Sequence, residues 1–259
     1  MTGKKQTSED REMKKHLFYD GIHYSILSAM MTYNKLYATL VAVSKSGYEL
    51  IKSGRGLGGL ILDPAASLCM TTYSWTIVDS LWRLVSLLHD TPNLKQKSPE
   101  LEVFYRRYEP DIKYMRIIIE HLDENLGGYI EKKMPAWGSL SWISTISETD
   151  KSSLVFVWIP GSLPGHTIDC YMVNPSKASH KIPIDSITLY AVRTVNLSEL
   201  DERVRELASW LGKCTGRSFM SNPHHALIAG DYDWSNTGAN EGVRVNPDDY
   251  LSIRIEKKQ

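Results

Sequence analysis

Residues 63–92 read DPAASLCMTTYSWTIVDSLWRLVSLLHDTP, and this stretch sets the fold class of the region around it. Asp63 can accept a hydrogen bond from the first turn of a helix, and Pro64 suits the first helical position, where its missing N–H does no harm. At about 100° per residue, one set of apolar side chains shares the face opposite Asp79: Met70, Ile77, Leu81, Leu84 and Leu88. The stretch therefore predicts an amphipathic helix that ends before Asp90-Thr-Pro92.

The face of this helix that carries Asp79 is polar and aromatic. It consists of Thr72, Trp75, Thr76, Asp79, Arg83 and Ser86. Such a stripe either faces water or lines a site, and the sequence leaves both interpretations open.

Further helical patterns flank this stretch. Residues 16–52 fit one long helix, and a helical region begins at Leu101 with a break or kink expected near Pro110. From Asp111 to about Glu131 the pattern is helical again. We therefore assign residues 16–145 to an α-helical bundle behind a flexible leader, residues 1–15. Residues 134–138 are expected to form a turn, after which Trp137 and Trp142 pack back on the bundle.

Residues 150–259 have a different character. Short apolar runs at 154–159, 167–173 and 187–193 end at turn residues or alternate in polarity, and residues 251–256 alternate strictly, so all four predict strands. Ser198, with Asp201 three residues later, can cap a helix that runs to about Lys213. The fold class expected is α+β, with an N-terminal helical bundle and a small α/β lobe whose C-terminal segment is rich in loops.

Composition limits the classes of function. The chain of 259 residues has 30 Lys plus Arg and 30 Asp plus Glu, so no global field favours nucleic acid, and an RNA partner would need a local patch. The three cysteines are far apart, which fits a reducing compartment. No apolar run approaches the roughly 18–20 residues of a membrane span. We expect a cytoplasmic protein without a membrane partner.

Two candidate binding motifs lack the context that their chemistry needs. Residues 54–59 match GxGxxG, but a helix rather than a strand precedes them, so no dinucleotide site is expected. His224 and His225 are adjacent, without a third ligand at metal-site spacing. We predict no cofactor and no metal.

The remaining candidate is an arginine followed by a histidine in a late helix. Four pairs have four to six intervening residues: Arg11/His16, Arg83/His89, Arg116/His121 and Arg217/His224. Only Arg116 and His121 lie within a late helix of the predicted bundle. On a regular helix two residues five apart point about 140° away from each other. Both could serve one cleft if it straddles the helix edge, as at a dimer interface, or if the helix is distorted; the alternative is a surface Arg and a half-buried structural His.

With these residues, the chain resembles the HEPN superfamily, the higher eukaryotes and prokaryotes nucleotide-binding domains. An R-x4-6-H motif on a late bundle helix marks the RNases of that superfamily, and an acidic residue on an earlier helix, matched by Asp79, often accompanies it. The segments Arg116…His121-Leu-Asp-Glu124 and Pro135-x-Trp-Gly138 are also similar to uncharacterised bacterial proteins of this group. The resemblance covers residues 17–145 and departs from the family at Ile117, where a polar residue is frequent.

The resemblance implies a metal-independent endoribonuclease, of the toxin or phage-defence kind, that acts as a homodimer. Arg116 would grip the phosphate, His121 would move protons and Asp79 would orient one of them. Trp75, Trp82 and Tyr114 could stack bases, although aromatic residues more often fill a core.

Two other functions remain open. The chain could be a catalytically silent HEPN-like module that binds nucleotide, RNA or a protein. It could also be a scaffold or regulatory protein outside this superfamily, which recognises another chain through its C-terminal lobe.

Overall fold

The protein is an α+β fold, as the sequence predicted. The computed structural model describes residues 7–54, 62–91, 94, 99–131, 134–145, 153–161, 171–173 and 183–221. Its helices are α1 (Ser8–Lys52), α2 (Pro64–Asp90), α3 (Pro99–Glu120), α4 (Leu122–Glu131) and α5 (Leu197–Thr215). Its strands are β1 (Ser139–Thr145), β2 (Ser153–Trp158), β3 (Ile184–Ala191) and β4 (Arg193–Asn196).

Helix α1 starts earlier than expected, because residues 8–15 belong to it rather than to a flexible leader. The cause is a capping box. The Thr7 side chain accepts from the Asp10 backbone N–H, and the Asp10 carboxylate accepts from that of Thr7. The sequence interpretation overlooked this T-x-x-D pattern.

Helix α2 matches its prediction. The Asp63 side chain accepts from the Ala65 N–H, Pro64 is the first helical residue, and the apolar face opposite Asp79 is buried. This face packs mainly against α1, and α2 also contacts α3 and β1. The contacts fix the direction in which Asp79 projects.

Of the break or kink predicted near Pro110, the break is wrong, because α3 continues through this residue, and the kink stays a prediction; the interruption lies at His121. Helix α3 runs through Pro110, which is exposed to solvent. Proline has no backbone N–H, so one carbonyl in the preceding turn loses its helical partner, and water can solvate it there. The chain stops being α-helical only at His121, between α3 and α4. The backbone N–H of His121 still donates to the Ile117 carbonyl, at 3.1 Å, as in a regular helix, so His121 keeps its helical position relative to α3.

The four strands form one antiparallel sheet in the order β2-β1-β3-β4. Strand β1 follows directly on the predicted turn and lies within the range 16–145 that the sequence assigned to the bundle. The strand expected at 187–193 is confirmed as β3, but it starts earlier, at Ile184, and ends at Ala191. A turn at Val192, whose φ is 65°, separates β3 from β4.

The strand predicted at 154–159 is confirmed as β2, and the helix predicted from Ser198 is α5. Its N-cap, however, is Asn196, whose side chain accepts from the Glu199 N–H at 3.0 Å. Tyr171–Val173 belong to no strand, while the rest of that predicted run and the one at 251–256 lie outside the described residues.

Helices and sheet share a single hydrophobic core among the described residues. Helix α5 packs on β3 and α1, and the Trp142 indole of β1 donates to the Ser44 hydroxyl of α1 at 2.9 Å. The core therefore crosses the boundary near residue 150 that the sequence placed between bundle and lobe. Within the described ranges, no helix is both long enough and apolar enough to cross a membrane.

Candidate functional site

Asp79 and Arg116, two of the three predicted site residues, lie together. Asp79 projects from α2 and Arg116 from α3, and the Asp79 Oδ1 atom is 2.9 Å from Arg116 Nε. The Arg116 side chain is 23% exposed and that of Asp79 31%, so water screens this pair only in part. The buried Nε makes no regular hydrogen bond within the described structure, which leaves the contact as an ion pair. The pair joins two helices at a point where both are partly covered.

Each member of this pair has a further charged partner on its own helix. Asp79 Oδ2 is 2.8 Å from an Arg83 nitrogen, and an Arg116 nitrogen is 2.5 Å from Glu120 Oε1. Arg83 is 69% exposed and Glu120 45%, so these outer contacts are the more accessible part of the network. The positive charge of Arg116 is thus balanced by the carboxylates of Asp79 and Glu120.

His121 occupies the interruption between α3 and α4. Its side chain is 50% exposed, and its Nδ1 atom is 3.2 Å from a Glu124 carboxylate oxygen. A carboxylate beside one ring nitrogen favours the tautomer with the proton on that nitrogen and leaves the other nitrogen as an acceptor. An exposed imidazole held in this way is suited to taking and returning a proton.

Asp79 and Arg116 provide an anion-binding fork and a carboxylate that holds it, and His121, five residues beyond Arg116, is a proton carrier that contacts Glu124. The guanidinium of Arg116 can bind phosphate oxygens in a bidentate manner once the half-exposed Glu120 is displaced. Asp79 is the less accessible of the two acidic partners, which suits it to keep Arg116 in place during such an exchange. Glu120 is a site residue that the sequence interpretation missed, although its spacing from Arg116 is the ordinary four residues of a helical ion pair.

The other sequence candidates have different surroundings. Arg83 contacts Asp79, whereas His89 lies 2.9 Å from Glu109 and its ring stacks on Tyr105 at a centroid distance of 4.2 Å. The Nδ1 atom of His16 in α1 is in close contact with the guanidinium of Arg217, which follows α5. Most of the GxGxxG segment, together with His224 and His225, lies outside the described residues. In the part of the chain that is described, no three His, Cys, Asp or Glu residues group in a way that could hold a metal ion.

Comparison with family models, with curated proteins and with solved structures gave no match to this chain. The resemblance to the HEPN superfamily therefore remains a prediction from the R-x4-H motif.

Proposed function

We propose that the protein is a HEPN-like, metal-independent endoribonuclease, with Arg116 and His121 as its catalytic pair and Asp79 as the residue that positions Arg116. The observation that supports this most directly is the 2.9 Å contact between Asp79 Oδ1 and Arg116 Nε. It brings together two residues that lie on different helices and that were chosen from the sequence as parts of one site.

The end of α3 at His121 leaves the directions of the two side chains unchanged. The His121 N–H bonds to the Ile117 carbonyl at 3.1 Å, so Arg116 and His121 keep the separation of about 140° of a regular helix. We therefore propose that both serve a cleft that straddles the helix edge, as at a dimer interface. In the proposed reaction His121 takes the proton of an RNA 2′-hydroxyl, which attacks the adjacent phosphorus. The bond to the 5′-oxygen breaks, and that oxygen receives the proton that His121 took up. The products are a 2′,3′-cyclic phosphate and a 5′-hydroxyl, and Arg116 stabilises the anionic phosphate.

We propose a homodimer as the active form and a single-stranded cytoplasmic RNA as the substrate. The carboxylates of Asp79 and Glu120 offset the positive charge of Arg116, and that of Glu124 lies beside His121. A second copy of the motif across a two-fold axis would bring a second Arg116 and a second His121 to the same cleft, whose carboxylates the bound phosphate must displace. A toxin or phage-defence role fits such an activity.

The test is cleavage of a labelled RNA in EDTA by the parent protein and by Arg116→Ala and His121→Ala. The parent is expected to leave 2′,3′-cyclic phosphate ends and to spare a 2′-deoxy substrate, and both variants should lose at least a hundredfold in rate. Glu120→Gln should raise the affinity for RNA, because it removes the accessible carboxylate that competes with phosphate.

His89→Ala is the matched control, because His89 belongs to the neighbouring R-x4-6-H pair but contacts Glu109 and Tyr105 rather than the residues of the proposed site. It should cleave as the parent does. Cleavage that survives in Arg116→Ala and His121→Ala, with both variants folded and of unchanged oligomeric state, would show that the site lies elsewhere.

A second candidate is a module that binds RNA, nucleotide or a protein without cleaving it. It is favoured by the double pairing of Arg116 and by the exposed apolar side chain of Ile117, 44% accessible, beside it. RNA binding without cleavage, weakened by Arg116→Ala but not by His121→Ala, would support this function over the first.

A further inference from the structure

The outward side of α3 carries apolar side chains at a spacing of seven residues. They are Val103, Pro110 and Ile117, all exposed to solvent. The buried residues of α3, such as Phe104 and Met115, lie on the other side of the helix and pack into the core. A seven-residue apolar spacing keeps one line of contact along a helix and is typical of a helix that packs against another helix. We call the line formed by residues 103, 110 and 117 the α3 ridge.

Ile117 lies between the two proposed catalytic side chains. At about 100° per residue, it points about 100° round α3 from Arg116, and His121 points about 140° from Arg116 in the same direction. A cleft that serves both groups must therefore include the α3 ridge. Ile117 is also the residue at which the sequence departs from the HEPN pattern, and its apolar side chain is 44% exposed.

The charges on either side of Ile117 are self-complementary. Lys113 precedes it by four residues and Glu120 follows it by three. A two-fold axis at Ile117 aligns two copies of α3 antiparallel, so that Lys113 of each copy lies opposite Glu120 of the other. Lys113 is exposed and makes no ion pair within the described part of the chain, and the Glu120 side chain is 45% exposed. The surface that fits the α3 ridge best is therefore the same ridge on a second copy.

Glu120 connects this surface with the candidate anion site. Its Oε1 atom is 2.5 Å from an Arg116 nitrogen, so within one copy it occupies part of the guanidinium that is to bind phosphate. The Lys113 ammonium of a second copy offers the same carboxylate a cation on the outer side of the helix. A Glu120 paired in that way leaves Arg116 held by Asp79 alone, with the rest of its fork of donors open.

We propose that two copies of the chain pair antiparallel through the α3 ridge, about Ile117, and that pairing transfers Glu120 from Arg116 to the partner's Lys113. The monomer is then inhibited at its own anion site, and the dimer is the form that binds RNA. Three apolar side chains per copy make a small interface, of the weak class below about 1,200 Å², so assembly depends on protein concentration. The inference rests on the proposed function, because it names the partner surface and the regulation of the same site.

Sedimentation velocity of the full chain over a range of concentrations tests the interface. The parent should form a dimer as its concentration rises. Ile117→Gln, which is polar but uncharged, should weaken the dimer about tenfold or more, because it removes an apolar contact from both copies. Leu68→Gln is the control, since Leu68 lies on α2, away from the ridge, and is 68% exposed. A parent that stays monomeric, or a folded Ile117→Gln that dimerises as the parent does, overturns the proposal.

An exchange of charges tests the register. Lys113→Glu and Glu120→Lys each place like charges opposite one another, and each should weaken the dimer about fivefold or more. The double variant reverses both charges and should restore the dimer to within about threefold of the parent. Ion pairs within one helix join residues three or four apart, whereas these two are seven apart, so the restoration reports a contact between copies. A double variant that dimerises no better than the single ones overturns the pairing of Lys113 with Glu120.

Binding of a labelled 2′-O-methyl RNA hexamer, which lacks the nucleophilic hydroxyl, tests the transfer of Glu120. The parent should bind it about tenfold more tightly above its dimerisation midpoint than below, and Ile117→Gln should remain at the lower affinity. Addition of Glu120→Gln to Ile117→Gln should recover most of the affinity, because no carboxylate of that residue then competes for Arg116. Equal RNA affinity of monomer and dimer, or no recovery in the double variant, overturns the transfer.

The two proposals fail separately. Dimerisation that Ile117→Gln weakens and the charge exchange restores, in a protein that cleaves no RNA, keeps the interface and removes the nuclease. RNA cleavage that depends on Arg116, in a protein that stays monomeric, keeps the nuclease and removes the interface.

Discussion

Ser198 connects three elements through one hydroxyl group. Its oxygen accepts from the Tyr33 hydroxyl of α1 at 3.1 Å and from the Ile187 backbone N–H of β3 at 2.9 Å. The sequence pattern assigned Ser198 to cap α5, but Asn196 has that role. The hydroxyl is therefore available to tie α1 and β3 to the first turn of α5.

Replacement of Ser198 by alanine should destabilise the fold. Ser198→Ala leaves two partly buried donors without an acceptor, and each such loss costs about 1–3 kcal/mol. Urea denaturation gives the free energy of unfolding. The control is Ser46→Ala, whose exposed hydroxyl bonds only to the Ala42 carbonyl of its own helix and should change stability by less than about 0.5 kcal/mol. Equal stability of the two variants would contradict this role of Ser198.

The raised pKa of the Tyr33 hydroxyl predicts that the protein loses stability at high pH. Burial raises the pKa of its hydroxyl to about 12, whereas a phenol in the unfolded chain ionises near pH 10. Because the folded pKa is the higher one, its contribution to stability is complete below pH 10 and is lost as the pH rises from 10 to about 12. Burial also raises the pKa of Tyr105, which acts in the same sense.

The measurement for Tyr33 is the free energy of unfolding between pH 8 and 12, in the parent and in Tyr33→Phe. The variant is less stable at neutral pH, since it lacks the bond to Ser198, but its stability should fall less steeply above pH 10. Parallel curves for the two proteins would show that Tyr33 does not titrate as stated.

At the scale of the elements, the backbone conformation of Gly138 determines the direction in which the chain enters β1. Its φ is 73°, and a Cβ atom there would lie 2.5 Å from the Tyr190 carbonyl oxygen of β3. Gly138→Ala therefore meets both backbone strain and a clash with main chain, and should destabilise by about 2 kcal/mol or more. Thermal unfolding checks this.

Gly128 is the matched control for Gly138. It lies inside α4 with nothing within 4 Å of an added Cβ, so Gly128→Ala should stabilise by about 0.5–1 kcal/mol. The same substitution then has opposite signs at two glycines. A neutral effect of Gly138→Ala would mean that the turn before β1 relaxes easily and does not fix the position of Trp137.

Helix α2 could be predicted because three local signals agree: the N-cap at Asp63, the proline at position 64 and the apolar period. An element is predicted reliably when its local signals agree. Strand β1, SLSWIST, was not predicted, because its serines suggest a loop although all seven residues are buried. Nor could the sequence show that α3 passes Pro110 and stops at His121, since that depends on which face meets water.

Of the candidate site, too, the sequence predicted some residues and missed others. The apolar period fixed the face of α2 that carries Asp79, and the family resemblance selected Asp79 and Arg116, which are in contact. The second partner of Arg116, Glu120, follows from helical spacing and was overlooked. The grouping of Trp75, Trp137 and Trp158 around a small space could not be predicted either, because only the sheet and its turn bring these residues together.

At the scale of the whole molecule, the shared core removes the boundary between a helical part and a β-containing part. Sheet residues such as Trp142 and Leu189 belong to the same buried cluster as α1 and α2. Helix α5 contributes Leu200, Val204 and Leu207 to that cluster and contacts α1 as well as β3. Chain order thus separates elements that packing joins, and the sequence division at residue 150 describes composition rather than packing.

This architecture predicts one cooperative unfolding transition. Leu207→Ala removes a side chain of α5 that is 4% exposed, which should cost about 2–5 kcal/mol. Far-UV circular dichroism reports mainly on the long helices, and near-UV dichroism reports on the ring stack of Trp142 and Phe156, whose centroids are 5.1 Å apart. If the core is one unit, both signals shift to the same lower denaturant midpoint.

Leu68→Ala, a leucine of α2 that is 68% exposed, should leave both midpoints in place. Two separate midpoints in the parent, with Leu207→Ala moving only the near-UV one, would show instead that the helices α1 and α2 form a stable unit without the sheet.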